Sequence, residues 1–196
     1  QPLQLKSASP PSLPFHHLLS LERVDELTRR WLECDERATR NALLCLLMLV
    51  YVRTAKQAGS LKKKAFLLNE DGSVMARFGP VDVELDNGIA VMLRRHLATV
   101  EVQLGRVLEP DEHIFPGKLP GRGLTGAGIT YVLRNEGVNA AELYTSGLAG
   151  FFRTGMQRPK VLVRTLGISI QTAVKYWLAF SPRVAEELSS RRHGAD

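Results

Sequence analysis

Cysteine is scarce in this chain: Cys34 and Cys45 are the two in 196 residues. Both stand in or beside apolar, helical sequence, where a free thiol packs as a small hydrophobe. That usage argues against a disulfide framework and suits a reducing cytoplasm. Neither has histidine partners at zinc spacing, so no metal site is expected, and no cofactor signature is present. Long apolar runs are missing too. The longest, Ala42 to Val52 (ALLCLLMLVYV), covers 11 residues, against the roughly 20 that span a bilayer. It reads as a buried core helix, and no membrane partner is expected. The glycines of GKLPGRGLTGAG follow no strand and are not closed by Gly-Lys-Ser/Thr, which argues against nucleotide hydrolysis. A serine elbow, HExxH, CxxC and paired carboxylates are likewise missing. His16 and His17 fall in an amino-terminal arm, His96 on the polar face of a helix, His113 in a loop and His193 in a tail, none in a catalytic setting.

Acid is the most informative absence. Between Leu143 and Trp177 there is no Asp or Glu, while Arg153, Arg158, Lys160, Arg164 and Lys175 supply five positive charges. The net charge of +6 is therefore unevenly placed. Residues 1–112 carry 15 Lys+Arg against 15 Asp+Glu, and residues 113–196 carry 11 against 5. A solvated helix mixes both signs, whereas a surface for a polyanion does not. Double-stranded DNA is the expected partner. The five cations would contact phosphate, and Gln171 and Thr172 would lie near base edges. Within this stretch Leu162 to Tyr176 reads as helix, turn, helix. Val161, Leu162 and Leu166 share a buried face, Gly167 takes the left-handed turn, and Ser169 caps a helix carrying Ala173, Val174, Trp177 and Leu178. An ordinary helical hairpin on a basic surface would give the same pattern.

In order, residues 1–17 form an arm rich in Pro and Ser, residues 18–188 one domain, and residues 189–196 a tail. The opening without Met suggests the end of a longer protein. An amphipathic helix over residues 18–34 is followed by a buried helix from Asp35 or Glu36 to Val52. Three short strands over residues 65–68, 74–78 and 81–85 come next, then a helix from Asn87 to Leu104. A loop rich in Gly and Pro leads to a helix from Thr125 to Arg134. This order predicts a mostly helical α+β fold with a small antiparallel sheet. The lysine run at 62–64 reads as a solvated face that could contact phosphate.

Several phrases share one likeness. NALLCLLMLVYVRTAKQAGSLK, VDVELDNGIAVMLRRHLA, HIFPGKLPGRGLTGAGITYVLR and LGISIQTAVKYW resemble, in that order, successive parts of the tyrosine recombinase (phage integrase) catalytic domain over about residues 20–185. The resemblance implies that Arg53 matches the first phosphate-clamping arginine and Tyr176 the nucleophile. It also implies a sheet lysine, a His-x-x-Arg motif and a histidine after Leu-Gly. Residues 76–81 offer only Arg77, residues 141–144 hold neither His nor Arg, and Ile168 follows Leu-Gly. The expectation is thus a DNA-binding protein on a degenerate recombinase fold without strand cleavage. An active recombinase working through Tyr176, with Arg153 or Arg158 replacing the second arginine, is the alternative. A helix-turn-helix regulator is a further one, and a module that pairs with itself or with another recombinase a fourth.

Overall fold

The computed structural model describes residues 17–156 and 158–180. The expected arm and tail, and the end of the domain after residue 180, lie outside the described residues.

Helix α1 (Leu21–Leu32) begins where the Ser20 side chain accepts from the Arg23 amide, with Glu22 in its first turn and Arg29 and Arg30 in its last. It buries Leu27 and Trp31, and the Trp31 indole N–H donates to Glu136 at 2.8 Å. Helix α2 (Thr39–Val50) is apolar on every side and is covered accordingly: all residues from Ala42 to Leu49 are buried. Helices α1, α4 (Asn87–Leu104) and α6 (Ala140–Arg153) pack around it. The helix stops at Val50, short of the expected Val52. Tyr51 closes it, and Val52 turns left-handed at φ 52° while fully buried. A five-residue helix, α3 (Ala55–Gly59), follows on a capping box between Thr54 and Gln57.

Strands β1 (Phe66–Leu68), β2 (Val74–Ala76) and β3 (Val83–Glu84) form an antiparallel sheet in that order, with Phe66 opposite Ala76 and Met75 opposite Glu84. The second and third strands are shorter than expected. Residues 77–82 leave the ladder for a turn in which Arg77 grips Asp82 and the Val81 amide donates to the Arg164 carbonyl. The lysine run is not a free cationic face, because Lys62 and Lys64 pair with Asp111 and Lys63 with Glu101.

Helix α4 is capped by Asp86 and ends at left-handed Gly105. His96 lies on its inner side, 3 % exposed, which corrects the expected polar face. The incoming loop covers it: the ring stacks on Phe115 and bonds the Ile114 carbonyl at 2.7 Å. Helix α5 (Gly126–Asn135) starts from the Thr125 cap, α6 from an Asn139–Glu142 capping box, and α7 (Pro159–Leu166) from Arg158. Gly167 takes φ 65°, and α8 (Ile170–Phe180) starts where the Ser169 hydroxyl accepts from the Thr172 amide. One expected core position faces outward, Val161 at 40 % exposure, and Leu178 is likewise 39 % exposed. The short α7 has one inward stripe, filled by Leu162 and Leu166, and α8 turns Ala173 and Tyr176 inward. The fold is mostly helical with a small three-stranded antiparallel sheet. Among the described residues no helix is long and apolar enough to cross a membrane.

Candidate nucleic-acid interface

Arg53 is 3 % exposed. Its guanidinium donates to the Tyr51 carbonyl at 2.9 Å and to the Leu166 carbonyl, and its centre lies 4.9 Å from the Phe78 ring centroid. Burial lowers its pKa to about 10, leaving it charged at neutral pH. The favourable surroundings of this charge are carbonyl dipoles and an aromatic face. One side of Arg53 meets an open hollow of about 510 Å³ lined also by Gln57, Lys62, Lys64 and Arg77. The three outer cations already have carboxylate partners, Asp111 and Asp82.

Tyr176 is 5 % exposed, its ring stacked on Phe180 at 6.0 Å and its hydroxyl 3.3 Å from the Thr145 hydroxyl. Tyr144 closes the stretch 141–144, near which the family likeness asks for the His-x-x-Arg motif. Its phenol is pushed to a higher pKa by burial and by Tyr176, against the pull of Arg53. Tyr144 therefore sits within electrostatic reach of both Arg53 and Tyr176. Ile168 is buried. The Tyr176 hydroxyl thus has the Thr145 hydroxyl as its partner and Tyr144 in its neighbourhood, groups that carry no positive charge.

The remaining cations differ in setting. Arg153, Arg158, Lys160 and Arg164 are exposed, Lys175 is half-buried, and the Arg153 guanidinium lies 5.3 Å from the Phe180 ring centroid. Gln171 is exposed, whereas the Thr172 hydroxyl is turned toward Ser169 at 2.8 Å. Among the described residues, all seven ion pairs take their cation from residues 1–112. Lys118, Arg122, Arg134, Arg153, Arg158, Lys160 and Arg164 are in none.

The expected site residues did not include a groove of about 1460 Å³ between α3, the loop and the start of α5. Lys56, His113, Lys118 and Arg122 line it with Leu119, Leu124 and Tyr131, and no carboxylate does. A signal was available, since residues 113–135 contain Lys118, Arg122 and Arg134 and no acid. Close glycine contacts shape it: a Cβ on Gly123 would lie 2.3 Å from the Gly59 carbonyl oxygen, and one on Gly117 2.5 Å from that of Gly123.

No protein-family model matches the chain, and no curated protein matches it in sequence. Solved structures match it in fold. A site-specific recombinase, XerH bound to its difH substrate before cleavage, aligns at 20% identity and TM-score 0.59 over 82% of this chain and 49% of that one. XerH on a palindromic difH substrate after cleavage aligns at 20% identity and TM-score 0.63, over 95% of this chain and 57% of that one. XerA recombinase aligns at 16% identity and TM-score 0.59, over 94% and 66%. This chain spans about half the length of the first of these and no more than 66% of the others. The fold is that of the tyrosine-recombinase catalytic domain.

Proposed function

We propose that the chain is a double-stranded DNA-binding protein on the tyrosine-recombinase catalytic fold that holds the duplex without cutting it. The observation that carries this reading is the split in charge pairing. Among the described residues, the seven ion pairs draw their cations from the first 112 residues, while the exposed cations from Lys118 to Arg164 are in none of them and stand open to a polyanion. Neutralising phosphates with such cations releases counterions and gives binding that weakens steeply with salt. The XerH structures, of the same fold, are of a recombinase bound to its DNA substrate, which supports the same class of ligand here. The small sheet weighs against a stand-alone helix-turn-helix regulator.

Absence of cleavage is supported by the surroundings of Tyr176. Its hydroxyl is buried against Thr145, residues 141–144 hold neither the His nor the Arg that the family likeness asks for nearby, and Ile168 follows Leu-Gly. Removing one preorganised donor from such a site costs about two to three orders of magnitude in rate. The joint change Arg158→Glu with Lys160→Glu should weaken binding to unrelated duplexes alike and flatten the plot of log affinity against log salt. Unchanged affinity in a gel-shift titration would remove the DNA assignment. Cleavage is a separate question, and the interaction of Tyr144 with both Arg53 and Tyr176 favours testing a second reading. On a nicked suicide duplex the native chain should form no covalent adduct. An adduct lost in Tyr176→Phe would make it an active recombinase.

A further inference from the structure

We infer that Arg53 is a positioning residue, the clamp of a glycine-lined seam that seats the cationic helix α7 on the sheet. The inference deepens the DNA-binding reading and rests on it only for its effect on affinity. The seam joins the turn after β2 to the turn after α7. A Cβ on Gly79 would lie 2.5 Å from the Arg164 carbonyl oxygen and 2.8 Å from the Gly167 nitrogen. A Cβ on Gly167 would lie 2.5 Å from the Phe78 carbonyl oxygen. The two turns thus meet backbone to backbone, and the Val81 amide donates to the Arg164 carbonyl across the join at 3.2 Å.

Arg53 closes this join from inside. Its guanidinium donates to the Leu166 carbonyl, at the end of α7 where the helix dipole favours a cation, and lies against Phe78 of the opposite turn. Phe78 is fixed in turn by Tyr51, with ring centroids 5.2 Å apart, and the Tyr51 hydroxyl accepts from the Asp86 amide. The backbone that aims Arg53 is itself forced. Among the described residues Val52 is the one non-glycine at positive φ, a conformation that a β-branched residue keeps only when its surroundings over-determine it. Here α6 does so: Gly147 lets it approach α2 so closely that a Cβ would lie 2.1 Å from the Leu49 carbonyl oxygen and 3.4 Å from Val52 Cγ2.

Helix α7 needs such a seat. Eight residues fall short of the roughly 12 to 15 at which a helix begins to hold by itself. Leu162 and Leu166 are its buried side chains, while Lys160 and Arg164 face solvent. With Arg53 buried and bonded to two carbonyls, DNA affinity would depend on it through the placement of those two cations rather than through contact with phosphate.

The test is hydrogen exchange on the full chain, with DNA affinity measured in parallel, for Gly79→Ala and Arg53→Lys. Both variants should speed exchange of the α7 amides by at least about tenfold while α2 stays protected. Both should also lower DNA affinity about tenfold and reduce the salt slope by about two, the share of Lys160 and Arg164. The proposal is overturned if α7 keeps its protection in Gly79→Ala, or if α2 loses protection as much as α7 in both variants. It is equally overturned if Arg53→Lys weakens DNA binding with α7 still protected, because Arg53 then touches DNA. If the native chain binds no DNA, the DNA reading fails and the exchange data alone decide the seam.

Discussion

His96 follows Arg94 and Arg95 in sequence, and three polar residues in a row read as the outer face of α4. The residues that bury it, Ile114 and Phe115, come 18 and 19 positions later, so nothing local marks it as an inner residue. Burial, with the nearby Arg40 charge, lowers its pKa from 6.5 to about 4, even though the bond to Ile114 acts the other way. The folded ring therefore binds fewer protons than the unfolded one between these two values. Its contribution is fully present above pH 6.5 and is lost as pH falls towards 4, by up to about 3 kcal/mol. Chemical denaturation across pH 7 to 4 should show this loss in the native chain and a flatter profile in His96→Phe. Equal slopes would mean that another group titrates. Glu112, lowered to about 2 chiefly by Arg106, adds to acid sensitivity in the same direction but below the ordinary carboxylate value of 4.5. Arg53 and Tyr176 were legible as candidate remnants because their neighbours in sequence carry the family likeness. That both are buried was not legible, since Leu166 and Thr145 reach them from distant positions.

Elements with strong local signals came out near their expected bounds. Asn87 to Leu104 is helical over its full expected length, and the Gly167 turn and Ser169 cap lie where the spacing put them. Short elements did not. Five-residue α3 has too few positions to show a period, and β2 ends early and β3 starts late because residues 77–82 are drawn to the end of α7. The packing of α6 on α2 depends on Gly147, which a reading for periodicity treats only as a weak helix former. Gly147→Ala should destabilise the fold by about 1–3 kcal/mol, more than an added Cβ at an open helical glycine such as Gly150, where nothing lies within 4 Å. Urea midpoints of the two variants check this; equal midpoints would mean that α6 can slide away from α2 at little cost.

At the scale of the molecule the uneven charge survives folding, since among the described residues the seven ion pairs draw their cations from the first 112 residues. The groove beside α5 adds Lys118 and Arg122 to the cations already expected to meet a duplex. Lys118→Glu with Arg122→Glu should reduce DNA affinity and the salt slope as much as the charge reversal on α7 does. An unchanged slope measured by fluorescence anisotropy would confine the DNA surface to α7 and its surroundings. Fold class, the order of the elements, the buried α2 and the asymmetry of charge were determined by the sequence alone, because each rests on composition or on a period within one element. Tertiary structure alone decided which cations are neutralised, that Tyr176 is buried with its hydroxyl against Thr145, and that Arg53 bonds to the end of α7. The reason is physical: the Lys62–Asp111 pair, the Tyr176–Thr145 contact and the Arg53–Leu166 bond join residues 49, 31 and 113 positions apart, and no local pattern encodes such distances.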